Sequence, residues 1–310
     1  MRSAAGVLRS RGTLRGIWLA VGLLLGGCAS GPEAGLEAGL PAVPAADERL
    51  EGANDLLALR RYGEALERFR VLRRERPELL EAGVGVGEAQ LGLGNYQDAL
   101  AAFDQVLAAD PPGSEAVRDQ AMQGRGIALL RLGRIEDAIP ALQQVASADP
   151  TRWRAWNALG QAFDQRGRFA EAKASYDQAL WGAPRNAGVH NNLGFSLLSQ
   201  GEHDAAVIAF LHALELDPSL DVARANLRLA LAAQGEYAEA LSGVDRPALP
   251  EALNNIGYVA LMRGDYDRAE AYFLRALEVS PSFFEPAWRN LQYLETLKGA
   301  AERRAGAPTS

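Results

Sequence analysis

Seven asparagines share one setting in the second half of the sequence. Asn192, Asn226, Asn255 and Asn290 each precede an apolar residue, Leu193, Leu227, Ile256 and Leu291. Asn157, Asn191 and Asn254 lie one position earlier in the same pattern. An amide side chain donates and accepts hydrogen bonds at once. A ladder of such groups on one surface could hold the backbone of an extended peptide, at about 0.5–1.5 kcal/mol net per bond. Phe195, Tyr258 and Met262 fall beside these positions and would add apolar contact. On this reading, replacing Asn192, Asn226 and Asn255 together by Ala weakens peptide binding without loss of stability. The competing reading is that Asn is merely frequent at these positions.

Other chemistry is sparse. Cys28 is the only cysteine, which excludes an intramolecular disulfide and a thiolate metal site. The three histidines, His190, His203 and His212, match no common metal-ligand spacing. Gly83, Gly85, Gly87, Gly92 and Gly94 are dense enough to invite comparison with a phosphate loop. They lack a preceding strand and a Gly-Lys-Ser/Thr ending. No nucleophile elbow or dinucleotide fingerprint is present. The formal net charge is −7, and residues 1–27 contain four arginines and no acid, so the rest is more acidic still. Such a surface is unsuited to phosphate backbones, and no nucleic-acid partner is expected. No catalytic residue, metal or cofactor is assigned, and the chain is not expected to be an enzyme.

The asparagines must be carried by elements, and these are legible as a repeat. Trp156, Leu159, Gly160 and Phe163 have helical i, i+3, i+4, i+7 spacing and form one apolar stripe. Ala172, Tyr176 and Ala179 form a second stripe. Gly167 and its polar neighbours make a turn between them, and Pro184 ends the pair. Small Gly160, Ala172 and Ala179 let two antiparallel helices approach, and Trp156, Phe163 and Tyr176 fill the space. The same sentence recurs 34 residues later as His190, Leu193, Gly194, Leu197, Gly201, His203, Ala206, Phe210, Ala213 and Pro218. In this register and composition it resembles the tetratricopeptide repeat family, whose period is 34.

The resemblance implies an all-α fold: a right-handed α-solenoid of stacked helix-turn-helix repeats with a C-terminal capping helix. It spans 46–298, with repeats near 46–79, 80–118, 119–152, 153–186, 187–220, 221–249 and 250–284, a cap at 285–298 and a polar tail at 299–310. The glycine-rich first helix of the second repeat is expected to be the softest, at about 1 kcal/mol per interior Gly. In the sixth repeat Gly243-Val244-Asp245-Arg246-Pro247 replaces the second helix, which must be short or broken. In the cap, Trp288, Leu291 and Leu294 are expected to face inward. In this family the first-helix positions held here by Asn157, Asn191, Asn192, Phe195, Asn226, Asn254, Asn255, Tyr258 and Asn290 tend to line a concave peptide-binding groove.

The N-terminus reads as a signal. Arg2, Arg9, Arg11 and Arg15 precede an apolar run from Gly16 to Leu25, too short to span a bilayer. The run ends Leu25-Gly26-Gly27-Cys28, which resembles the bacterial lipobox. That resemblance implies a signal peptide at 1–27 and lipidation of Cys28. With Ala29 next in line, it implies export to the periplasmic side of the outer membrane. Residues 28–45 would then be the lipidated cysteine and a flexible tether. The covalent lipid on Cys28 is the only attached group expected. The whole resembles tetratricopeptide lipoproteins that assist assembly of pili or secretins, including the tight-adherence (Flp) pilus. The expected partners are other proteins of the envelope, pilus or secretion machinery, and the membrane through the lipid. An adaptor for peptidoglycan synthases or hydrolases is the alternative, and a cytosolic co-chaperone is a third if Cys28 is not lipidated.

Overall fold

The computed structural model describes residues 46–109 and 114–305, with side chains for 48–109 and 114–300. Cys28 and the stretches expected to be a signal peptide and a tether lie outside the described residues. Every described element is helical. The helices are α1 (Ala46–Ala58), α2 (Tyr62–Glu75), α3 (Leu80–Gly92), α4 (Tyr96–Ala109), α5 (Glu115–Arg131), α6 (Ile135–Ala148), α7 (Trp153–Gln165) and α8 (Phe169–Gly182). They continue with α9 (Ala187–Gln200), α10 (His203–Leu216), α11 (Asp221–Gln234), α12 (Tyr237–Ala240), α13 (Leu249–Met262), α14 (Tyr266–Val279) and α15 (Glu285–Ala305). Each odd-numbered helix from α1 to α13 pairs with the next, and the pairs stack into a solenoid.

The turns explain why the chain reverses where it does. Gly167 and Gly201 sit at φ 69° and 83°, in the left-handed region that ends a helix at no steric cost. In the first turn Arg60 takes that conformation instead, at φ 58°. Between paired helices a ring faces a residue without a side chain. A Cβ on Gly160 would lie 2.5 Å from the Tyr176 ring. Tyr176, Phe69, Phe103, Phe210 and Phe273 are fully buried, each contributing about 1.5–3 kcal/mol.

The same geometry gives the glycines of α3 a role that composition alone does not reveal. A Cβ on Gly85 would meet Phe69 of α2 at 2.3 Å, and one on Gly87 would meet Phe103 of α4 at 2.4 Å. The glycines are the seats of rings from both neighbours, so their intrinsic cost is offset by close packing.

The repeat margins depart from expectation at α5 and at the cap, while the second helix of the sixth repeat is short, as expected. α5 begins at Glu115, ahead of the expected start of the third repeat at 119, and has 17 residues, absorbing part of an insertion. α12 has 4 residues, followed by a 3-10 turn at Arg246–Ala248, where Gly243 at φ 68° and Pro247 end the helical register. α15 continues to Ala305, past the expected cap end at Lys298. Its inward stripe is Ala287, Leu291 and Leu294, at 0%, 7% and 0% exposure. Trp288 is not part of it: the indole is 42% exposed and packs beside Phe283, ring centres 6.3 Å apart.

Candidate functional site

Helices α7, α9, α11, α13 and α15 carry the seven asparagines, and the structure joins most of them to one another. Asn192 donates to Asn157 at 2.9 Å, and Asn226 donates to Asn191 at 2.9 Å. Asn290 donates to Asn254 at 2.9 Å. Within helices, Asn191 donates to Asn192 at 3.4 Å and Asn254 to Asn255 at 3.3 Å. The amides thus form a ladder between neighbouring repeats. No bond between asparagines crosses from α11 to α13 among the described residues.

This placement corrects the expectation that all seven face a partner. Asn191, Asn226 and Asn254 are buried, and their amides serve the stacking of first helices. Asn157, Asn192, Asn255 and Asn290 are half-buried; Asn157, Asn255 and Asn290 have one amide group engaged in the ladder, and Asn192 has both. Phe195 and Tyr258 are half-buried beside them, and Met262 is exposed at the end of α13. Removing Asn226 would strand the buried Asn191 carbonyl, so the triple replacement would cost stability as well as contacts.

A concavity lies toward the other end, where sequence reasoning placed no site. It has a volume of about 840 Å³ and is lined by the first helices of the first four repeats. Asn54 and Leu57 come from α1, Glu88 from α3, Gln120 and Gln123 from α5, and Arg152 to Arg154 from the start of α7. Arg154 donates to Glu88 at 2.8 Å, an ion pair between the fourth repeat and the second that passes over the third. Side chains two repeats apart meet in this way only across a concave face. Gln123 is 7% exposed. Arg152 pairs with Asp119 at 3.2 Å and Asp149 at 3.4 Å, while its buried Nε–H makes no hydrogen bond. The groove therefore offers exposed amide groups from Asn54 and Gln120 and apolar contact from Leu57 and Trp153. These groups suit the mixed polar and apolar surface of an extended peptide. The only trace in the sequence was polar Gln120 and Gln123 on a first helix.

The histidines have structural work. His190 Nε2 lies 2.9 Å from the Pro184 carbonyl, and its ring is 4.4 Å from that of His212. Trp156 donates from Nε1 to the Pro150 carbonyl at 3.1 Å, and Arg224 donates to the Pro218 carbonyl. One position thus closes the preceding junction with three different side chains. His203 opens α10 in the turn. Among the described residues no group of three or more His, Cys, Asp or Glu is placed to hold a metal ion.

One buried ionisable group was not anticipated. Asp164, at the end of α7, accepts from Tyr176 Oη at 2.8 Å and Ser196 Oγ at 2.6 Å, joining α7, α8 and α9. Burial pushes its carboxyl up to about 6, against the two hydroxyls, which favour the anion. The Tyr176 hydroxyl is pushed up by burial and by the Asp164 charge.

Comparison with known proteins follows the same geometry. A tetratricopeptide repeat family model matches residues 50–114, 124–188 and 163–221, and a second matches 250–283. Neither matches 222–249, which contains the four-residue α12. No curated protein sequence matches the chain. A tetratricopeptide repeat protein from Parabacteroides merdae is similar in structure, with 16% identity, 81% of this chain and 98% of that one covered, and a TM-score of 0.51. The C-terminal part of a repeat-containing protein from Cytophaga hutchinsonii gives 21% identity, 78% and 99% coverage, and 0.50. The APC/C hetero-tetramer Cut9–Hcn1 gives 18%, 80% and 49%, and 0.61. At these identities the likeness concerns the fold alone. Among the described residues no helix is long and apolar enough to cross a membrane.

Proposed function

Because this chain belongs to the tetratricopeptide repeat family, whose repeats bind other proteins, we propose that it is a lipid-anchored periplasmic scaffold that assists assembly of a pilus or secretion complex. The protein-binding part follows from the family, which is not a catalytic one. The observation that carries the proposed binding mode is the groove of about 840 Å³ along the first helices of the first four repeats. Its partner is an extended segment whose backbone is held by amides and whose side chains enter between Leu57 and Trp153. The half-buried Asn157, Asn192, Asn255 and Asn290, with Phe195 and Tyr258, extend this surface toward the cap. The sequence around Cys28 supports anchoring on the periplasmic side of the outer membrane, the lipid being the only attached group. The tether at 28–45 would let the solenoid reach partners beside the membrane. The acidic balance supports protein rather than nucleic acid as partner.

The test has two arms. Cys28→Ser should abolish labelling by a clickable palmitate and release the chain from the outer-membrane fraction. Equal labelling of both chains overturns the anchor. From solubilised envelope, the wild type should co-purify pilus or secretin components, and Trp153→Asp should lose them. Recovery of peptidoglycan synthases or hydrolases instead would turn the reading to the adaptor, and undiminished recovery with Trp153→Asp would overturn the groove.

A further inference from the structure

Six of the seven buried serine, asparagine and glutamine side chains among the described residues are hydrogen-bonded. Gln90 accepts from Asn95 at 2.8 Å, Ser175 donates to the Glu171 carbonyl at 2.8 Å, and Ser196 donates to Asp164. Asn191, Asn226 and Asn254 stand in the amide ladder. The seventh is Gln123, 7% exposed, which forms no hydrogen bond among the described residues. An unpaired buried amide costs free energy and is rare for that reason, so this one calls for an explanation.

Its place in the repeat shows why it is unpaired. Gln123 is the third-repeat counterpart of Asn157, one period earlier. Asn157 accepts from Asn192, and Asn191 from Asn226, in each case from a residue 35 positions further on. At that distance from Gln123 the chain has Ala158, buried and without a side-chain donor. The ladder therefore stops short of α5, and the Gln123 carbonyl and NH2 group are both uncommitted. Packing alone does not require an amide here. Three residues before the glycine that seats a side chain, as Gln123 is before Gly126, α3 has Val84 before Gly87.

Gln123 lines the groove of about 840 Å³, at its bottom. Beside it on α3 are buried Val84 and Gly85, and half-buried Leu57, Tyr62 and Trp153 form the walls. The lining charges are matched, Arg154 with Glu88 and Arg152 with Asp119 and Asp149, and Glu81 is exposed to solvent. A group reaching Gln123 thus passes apolar walls and meets no unmatched charge. A main chain lowered to this depth would leave its other N–H and C=O groups unpaired against Val84 and Gly85. A single side chain reaches the floor without that cost. It must offer an acceptor to the Gln123 NH2 group and a donor to its carbonyl. A carboxylate only accepts, and an ammonium or guanidinium only donates. A hydroxyl does both from one atom, with poorer alignment to two groups. A primary amide does both from two atoms.

We propose that Gln123 is the specificity-determining residue of the groove and pairs with the side chain of an asparagine or glutamine in the partner's bound segment, the stem of that side chain lying between Leu57 and Trp153. This assignment rests on the groove being the partner-binding surface, and it adds which residue the partner presents there. The same amide-to-amide pairing holds Asn192 to Asn157 and Asn290 to Asn254 at 2.9 Å. The partner supplies the rung that Ala158 does not.

The probes are random dodecapeptides displayed on phage, panned on the full chain with Trp153→Asp as the counter-selection. Peptides taken by the wild type and refused by Trp153→Asp should share an asparagine or glutamine at one position. In anisotropy titrations of one such peptide, labelled with fluorescein, changing that residue to Met or to Glu should weaken binding about ten-fold or more. Gln123→Met should weaken the parent peptide by a similar factor. It should return the Met peptide to within about three-fold of the original affinity, because an apolar pair leaves no unmatched group. Without peptide, Gln123→Met should melt at or above the wild-type temperature, whereas loss of a structural amide would lower it. Circular dichroism checks folding, and the peptide-side changes remain decisive should Gln123→Met unfold. Selected peptides with no common amide residue, or with an affinity indifferent to its change to Met, overturn the assignment and leave the groove standing. A lower melting temperature of Gln123→Met with unchanged peptide affinity also overturns it. If no peptide separates the wild type from Trp153→Asp, the groove reading itself falls, and the assignment with it.

Discussion

Asp164 makes the stability of the middle repeats depend on pH in a direction opposite to ordinary acid denaturation. Its carboxyl is raised from an ordinary value of 3.8 to about 6 by burial between α7, α8 and α9. A raised folded pKa means that the folded state binds the proton more tightly than the unfolded chain. The associated stabilisation is fully present below 3.8 and is lost as pH rises through about 6. A shift of roughly two units corresponds to about 3 kcal/mol between the extremes, at about 1.36 kcal/mol per unit. Asp164→Asn keeps the shape and an acceptor for Ser196 or Tyr176 and carries no charge. Relative to wild type, it should gain up to about 3 kcal/mol at pH 7.5 and only about 1 kcal/mol near pH 4.5. The assay is urea unfolding of both chains followed by circular dichroism, with hydrogen exchange of α7–α9 to localise the change. Comparing the two chains removes the exposed carboxylates common to both. A difference that stays constant from pH 4.5 to 7.5, or a loss at pH 7.5 larger than at 4.5, would refute the assignment.

Three further outcomes follow from packing. Asn226→Ala should destabilise the chain by about 1–3 kcal/mol, because the buried Asn191 carbonyl loses its donor, and thermal unfolding reads this directly. Gly160→Leu should cost about 3 kcal/mol or more or abolish cooperative unfolding, since even a Cβ there lies 2.5 Å from the Tyr176 ring. Hydrogen exchange should be faster across 237–249 than across α7–α10, because a solenoid is held by neighbour contacts and the amide ladder also stops at α11; equal protection would count against a weak junction there.

The periodic elements were legible because their causes are local. Trp156, Gly160 and Tyr176 recur as His190, Gly194 and Phe210 since every hairpin must seat one large group on one small one. The failure of the sixth repeat could be read from Gly243 and Pro247, which no helix tolerates in that place. The asparagines were read as a surface because their partners are 35 or 36 residues away. Which amide turns inward depends on the lateral packing of first helices, and periodicity along one helix does not fix it. The groove of the first four repeats was missed for a similar reason. Glu88 and Arg154 are 66 residues apart, and only the curvature of the stack brings them together. Trp288 was assigned to the interior by its spacing to Leu291, yet Ala287 on the adjoining line is the residue that fits against the seventh repeat.

The account turns on the concave face of the first four repeats as the partner-binding surface. The most direct measurement is site-specific photocrosslinking in intact bacteria, with a photoreactive phenylalanine at Gln120, which is exposed and lines the groove, or at Asp137 on α6, which is exposed on the outer side. A discrete adduct with an envelope protein from position 120, and none from position 137, is the predicted result. Adducts from 137 with none from 120 would contradict it.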